Sequence, residues 1–271
     1  MSTPVRSGFR LAGPDVTSPV YAHPPLVESW LGIEFGEGNE WSLADSEALC
    51  SALGPEWPGI WKPYSQGLLT GRQLTNVMAD RALRLTPEGF SFGWLGHGGE
   101  RYPRYEAVRD GFVAVSDAIR QLAEGTSKSV VPTRHSRAGG NPAMRSGPVR
   151  WSVCYVNRIP RGTVWSTPGD WTFFNLWQPA PLKGLGVDPT GFHGQWDFAL
   201  EAERGHLKIE FQHTAGTAAD ESVWIKLTTS GPVDDAETLF DGMDFGREVI
   251  VRSFNELVST DAKNFWGVRS R

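Results

Sequence analysis

The stretch Val149-Arg150-Trp151-Ser152-Val153-Cys154-Tyr155-Val156-Asn157-Arg158-Ile159 decides how the rest of the chain is read. It is rich in β-branched and aromatic residues. Pro148 before it and Pro160 after it cannot donate to a ladder, so they bound it as a strand. Strand alternation puts Trp151, Val153, Tyr155, Asn157 and Ile159 on one face. Arg150, Ser152, Cys154, Val156 and Arg158 fall on the other. Strand and helix patterns lie on both sides of this stretch and share an outline. The sequence therefore predicts a central strand in an antiparallel sheet.

On the C-terminal side, residues 162–194 are rich in Trp and Pro and predict irregular structure. Three strands follow. Residues 196–202 present Trp196, Phe198, Leu200 and Ala202; residues 206–213 present Leu207, Ile209 and Phe211; residues 223–229 present Val223, Ile225 and Leu227. A turn at Glu203-Arg204-Gly205-His206 would pair Ala202 with Leu207, Leu200 with Ile209 and Phe198 with Phe211. Apolar then meets apolar at each step, and Glu201 faces Lys208. Residues 234–265 read as mostly helical, with Leu239, Met243, Ile250, Phe254, Leu257 and Val258 on one side. Gly242 and Gly246 are expected to weaken that helix and divide it.

On the N-terminal side, residues 1–22 show no periodicity and read as a disordered lead-in. Two prolines open a half-buried strand over 24–35. Val27, Leu31, Ile33 and Phe35 lie on one face, and Glu28, Trp30 and Glu34 on the other. Ser42 with Asp45 forms a weak capping-box signature for a helix through Leu49, Cys50 and Leu53, stopped by Gly54-Pro55. Residues 56–75 read as irregular. Short strands at 82–85 and 90–95 flank the turn Thr86-Pro87-Glu88-Gly89. Pro103 is placed in the first turn of a long helix. Its positions Tyr105, Val108, Phe112, Val115, Ile119 and Leu122 give the clearest helical periodicity in the chain, and Gly125 ends it.

Residues 126–148 break the pattern. The string Arg134-His135-Ser136-Arg137-Ala138-Gly139-Gly140-Asn141-Pro142 resembles the peptide made when a dispersed bacterial repeat element is translated in frame. That resemblance implies an inserted surface loop, which a chain tolerates because lengthening a flexible loop costs little entropy.

Four further stretches carry a family resemblance: Pro24-Pro25-Leu26-Val27-Glu28, Tyr102-Pro103-Arg104-Tyr105-Glu106, Tyr155-Val156-Asn157-Arg158-Ile159, and Glu248-Val249-Ile250 with Phe254. Their order and spacing resemble a sporadically distributed family of uncharacterised prokaryotic proteins of about this length. The resemblance implies a common fold and brings no reaction with it. Family members often carry Leu-His-Glu where this chain has Gly246-Arg247-Glu248, so no role is carried over to that position.

Composition limits the function classes. The 271 residues are 39% hydrophobic and 21% charged, an ordinary balance for a globular chain. No apolar run approaches the ~20 residues that cross a bilayer, and no secretory pattern opens the chain. We therefore expect a cytoplasmic protein without a membrane partner, its two cysteines, Cys50 and Cys154, reduced. A net charge of −5 without a basic block argues against nucleic acid as a partner. The six histidines show no ligand spacing, so no metal or cofactor is expected. Phosphate-loop, dinucleotide and nucleophile-elbow motifs do not occur. Asp197, Glu201, Glu203, Lys208 and Glu210 mix signs on one face and read as a solvated, salt-bridged surface.

The expectation is thus an α+β fold, an antiparallel sheet with long helices on one face. A pseudo-repeat of two halves, saddle-like or helix-grip-like, would fit this outline. The halves are 23–125 and 149–271, packed as one unit around the inserted loop at 126–148. The candidate binding residues are Arg158, Glu28, Trp30 and Asn157, with no catalytic residue. Arg158 and Glu28 are expected to pair on the open sheet face, and Asn157 to satisfy its amide on backbone. The expected function is a non-enzymatic binding or adaptor protein that uses the open sheet face toward a protein partner. The alternative is an enzyme or small-ligand protein with a pocket between sheet and helices.

Overall fold

The structure, a computed structural model, describes residues 19–35, 41–66, 69–96, 101–125, 149–167, 171–175, 191–217, 220–233 and 236–269. The lead-in up to residue 18 and the inserted loop at 126–148 lie outside the described residues. In chain order the strands and helices begin with β1 (Val20–Tyr21), β2 (Leu26–Glu34), α1 (Leu43–Leu53), β3 (Lys62–Gln66) and β4 (Leu69–Thr75). Next come β5 (Arg81–Thr86), β6 (Gly89–Leu95), α2 (Tyr105–Gly125) and β7 (Val149–Pro160). The chain closes with β8 (His193–Ala199), β9 (His206–Thr214), β10 (Ser222–Val233), α3 (Ala236–Leu257), α4 (Thr260–Phe265) and β11 (Val268–Arg269). Among the described residues, nine strands form one antiparallel sheet in the order β3-β4-β5-β6-β2-β7-β10-β9-β8, and β1 pairs with β11. The fold is α+β, as expected.

The chain divides into two compact units. One comprises Met1–Val27, Cys154–Thr229 and Phe245–Arg271; the other comprises Glu28–Val153 and Ser230–Asp244. The cuts fall inside β2, β7, β10 and α3, so the units do not coincide with the two halves read in the sequence.

In the unit built on Glu28–Val153, α2 buries the face its periodicity predicts. Val108, Phe112, Val115 and Ile119 are all buried against the sheet. Phe112 stacks on Phe90 of β6, with ring centroids 5.5 Å apart. Each large apolar side chain so buried contributes about 1.5–3 kcal/mol. The even-numbered residues of β6 (Phe90, Phe92, Trp94) and Leu83 and Leu85 of β5 are buried on this helix side. Helix α1 begins as expected. Ser42 Oγ accepts from the Asp45 backbone N–H, and Asp45 Oδ2 accepts from that of Ser42, both at 3.0 Å. Such a cap contributes ~1 kcal/mol. Gly54, at φ 89°, ends the helix.

Residues 56–75, expected to be irregular, contain β3 and β4. Their alternation is hidden. Arg72 takes a helix-side position because its Nη1 donates to Ser46 Oγ of α1 at 3.3 Å, and Pro63 is tolerated because β3 is an edge. Pro103 lies before α2 rather than in its first turn, since Arg104 turns at φ 83° and the helix starts at Tyr105. Helix α3 runs through Gly242 and Gly246 without a break. A Cβ on Gly242 would lie 2.3 Å from Trp151 Nε1, so the glycine admits the buried indole of β7. The division of the helical region comes later, at Ser259, whose Oγ caps α4.

In the other unit, β7 alternates as read. Tyr155, Asn157 and Ile159 are buried, while Cys154, Val156 and Arg158 are half-buried. Neither cysteine forms a disulfide. Residues 20–22, assigned to the lead-in, are ordered. Tyr21 pairs with Val268, its ring packs on Phe254 and Trp266, and its hydroxyl donates to Asn255 Oδ1 at 3.1 Å.

The β8–β9 hairpin corrects the expected register. Phe198 faces Leu207, Trp196 faces Ile209, Gly194 faces Phe211, and it is Asp197 that faces Lys208. The face parity holds, but the pairing is displaced because the turn is longer. Leu200 N–H donates to Gly205 O at 2.9 Å, and Ala202 and Glu203 both adopt left-handed backbone, near φ 55°. Ala202 therefore belongs to the turn, not to the strand.

Candidate functional site

Strand alternation brings two of the predicted residues together. Glu28 and Trp30 are two apart on β2 and share a face, and the Trp30 indole N–H donates to Glu28 Oε2 at 2.7 Å. Trp30 pairs with Gly93 of β6, and a Cβ there would come within 2.4 Å of the Trp30 ring. The glycine thus lets the indole lie flat on the sheet, on the side opposite Phe92 and α2. Ser91 of β6 pairs with Arg84 of β5, and Arg84 with Gln73 of β4, which places Arg84 on that same face.

The Arg84 guanidinium lies 3.4 Å from the Trp30 ring centroid and 4.5 Å from that of Tyr64 on β3. Its Nε donates to Gln73 Oε1 at 2.9 Å, and its Nη2 is 3.9 Å from Glu28 Oε2. The two charged side chains remain 17% and 18% exposed, whereas Trp30 beneath is buried. A planar cation between two rings, with an acid and an amide at its rim, is a rigid polar–aromatic cluster that keeps part of its charged side chains exposed. Arg84, Tyr64 and Gln73 were not singled out in the sequence. Arg84 lies in a short strand whose faces the sequence reading did not assign, and Tyr64 in a segment read as irregular.

Arg158 and Asn157 have their own partners. Arg158 Nε donates weakly to Ser222 Oγ at 3.4 Å, its guanidinium carbon is 5.8 Å from the Trp224 ring, and its backbone N–H donates to Pro25 O. Asn157 points to the buried side, where Nδ2 donates to Ile225 O at 3.3 Å. Arg158 and Glu28 fall in different compact units.

A second cluster escaped the sequence reading. His213 ends the apolar series of β9, with its side chain only 1% exposed. Its Nε2 lies 2.9 Å from Glu221 Oε1, and Arg161 Nη1 donates to Glu221 Oε2 at 2.8 Å. Arg161 also donates its backbone N–H to Glu221 O and its Nε to Ser166 O. Trp165, Trp171 and Phe192 surround the imidazole at centroid distances of 5.8, 5.3 and 6.3 Å. Burial pushes the Glu221 carboxyl up, but the hydrogen bonds and charges of Arg161 and His213 outweigh it and hold the group below the usual carboxylate value. A carboxylate can only accept, so Nε2 carries a proton and donates it to Glu221. Nδ1 is buried and has no hydrogen-bond partner among the described residues. The Glu221 carboxylate thus fixes the orientation of the ring and of Nδ1.

Among the described residues, no group of three or more His, Cys, Asp or Glu could hold a metal ion. No described helix is long and apolar enough to cross a membrane. No family model matches the chain, and no curated protein matches it.

Proposed function

We propose that the protein is a non-enzymatic binding or adaptor protein whose contact surface is the sheet face around Arg84, Trp30, Tyr64 and Glu28. One observation carries this reading. The guanidinium is fixed between two rings, and its side chain and that of Glu28 keep part of their surface exposed. Holding such groups in place before a partner arrives lowers the entropy lost on binding. Arginine and aromatic residues also dominate the energetics of protein interfaces. A protein partner fits this surface best, and the net charge of −5 disfavours nucleic acid.

The test is affinity purification of the tagged protein from its native cells, compared with Arg84→Lys and Tyr64→Ala. These variants change the surface and leave the helix-side core intact. The reading requires at least one protein that the wild type retains and both variants lose. Retention of the same set by all three would exclude this surface.

A second reading is supported by the His213–Glu221 pair, which suits general-base chemistry at Nδ1 on a small ligand. It predicts that a small-molecule library shifts the melting temperature of the wild type and not of His213→Gln. A library without such a differential hit rejects it.

A further inference from the structure

Among the described residues the sheet ends at β3 and β8, and these two edges are built differently. Edge β3 carries Lys62 and Pro63, two residue types that discourage a further strand from adding. Edge β8 is seven residues, His193-Gly194-Gln195-Trp196-Asp197-Phe198-Ala199, with neither lysine nor proline.

Two hydrogen bonds show which of its backbone groups face outward. The His213 N–H donates to Phe192 O at 2.8 Å, and the Leu200 N–H donates to Gly205 O at 2.9 Å. Both pairs continue the series that joins Phe198 to Leu207 and Trp196 to Ile209. Hydrogen-bonded and non-bonded partners alternate along an antiparallel ladder. The even-numbered residues of β8 therefore direct N–H and C=O toward β9. Those of His193, Gln195, Asp197 and Ala199 point away from the sheet, and these four residues are exposed.

We propose that β8 pairs antiparallel with β8 of a second copy of this chain, forming a homodimer by extension of the sheet. Only outward-pointing residues can exchange both hydrogen bonds across such a joint, so His193, Gln195, Asp197 and Ala199 must pair among themselves. Charge selects the register. Centring the two-fold on Asp197 sets two carboxylates face to face, which is unfavourable. Centring it on Gln195 leaves Ala199 beyond the paired strand. Centring it on Trp196 uses the whole strand, pairs His193 with the second copy's Ala199, and sets Gln195 against the second copy's Asp197 twice. The Asp197 Oδ2 already accepts from Gln195 of its own chain at 2.6 Å, and a carboxylate has capacity for a further donor. One short edge buries a small area, so association is expected in the micromolar range or weaker.

Sedimentation equilibrium of the full chain over a wide concentration range tests the proposal. The mass should rise with concentration from 29.9 kDa toward twice that value. Gln195→Pro removes one outward N–H per copy and none from the β8–β9 ladder, so it should stay monomeric while melting like the wild type. Gln195→Lys places a cation opposite the second copy's carboxylate and should tighten the dimer several-fold at low salt. Gln195→Glu keeps the backbone donor but opposes like charges twice, and should weaken the dimer about tenfold. A wild type that stays at 29.9 kDa throughout overturns the proposal. So does a folded Gln195→Pro variant that dimerises as before. If that variant does not fold, Gln195→Glu decides, and unchanged association is the overturning result.

Discussion

Arg84→Ala measures how firmly the proposed contact surface is built. The substitution removes a guanidinium 3.4 Å from the Trp30 centroid and 4.5 Å from that of Tyr64. A largely desolvated cation–π contact is worth up to about 2 kcal/mol, and the longer one below ~1. The bond to Gln73 adds about 1.5 kcal/mol because its donor is charged. Glu28, at 3.9 Å and partly exposed, adds less than ~1. These contacts share one group and do not simply add, so the expected loss is about 2–3 kcal/mol. At ~2–4 °C per kcal/mol for a chain of this size, the melting temperature should fall by roughly 4–12 °C. Urea titration followed by circular dichroism gives the same quantity through the midpoint. Arg84→Lys is the informative control. Lysine keeps the charge but cannot stack a plane between two rings, so it should recover less than half of the loss. Full recovery by lysine would show that charge alone matters. A loss below ~0.5 kcal/mol for alanine would show that the guanidinium is not held, and the preorganisation argument would fail with it.

Three other outcomes are expected. Gly242→Ala should destabilise although alanine favours helix by about 1 kcal/mol, because its Cβ would lie 2.3 Å from the buried Trp151 indole and overpacking costs ~1–3 kcal/mol; a raised melting temperature would contradict that contact. Burial pushes the Tyr21 phenol from 10.0 up to about 12, so the fold favours the neutral form. Stability should be level below pH 10 and fall by about 2–3 kcal/mol toward pH 12, a fall that Tyr21→Phe abolishes; equal alkaline melts for the two proteins would disprove it. Glu221 is held below its usual 4.5, so the stability it contributes is present above that value and lost as pH falls through its folded value. Glu221→Gln should therefore melt lower than wild type at neutral pH, with the gap closing only below the ordinary carboxylate value; a gap independent of pH would rule out the ionised pair.

The elements most legible in the sequence are those where one physical signal acts alone. In β7, burial on one face and prolines at both ends leave no competing interpretation, and its alternation appears residue by residue in the structure. Helix α2 is similar, because its apolar stripe matches one face and that face is buried. Legibility fails where a side chain serves a local partner. Arg72 occupies a core-side position for the sake of Ser46, which erases the alternation of β4. In the β8–β9 hairpin, pairing apolar with apolar has more than one solution of the same parity. The choice between them is made by a turn whose left-handed residues are alanine and glutamate, types that do not signal such backbone.

The functional surfaces divide along the same line. Glu28 and Trp30 could be found because they share one strand, and two residues on one strand have a fixed relation whatever the rest of the fold does. Arg84, Gln73 and Tyr64 join them only through the pairing of β4 with β3 and β5, and β3 and β4 were not visible as strands. The His213 cluster is a harder case, since Arg161, Trp165, Trp171, Phe192 and Glu221 come from loops and strand ends with no common period. One local clue existed. His213 continues the apolar series Leu207, Ile209, Phe211 and is itself buried, and an imidazole at such a position requires a polar partner brought to it. Glu221, immediately before β10, stands one short connection away from His213, near enough for the chain's return to supply that partner. The parity of β9 thus places His213 on the buried side and calls for a polar partner, whereas the identity of that partner and of the aromatic walls depends on the tertiary fold.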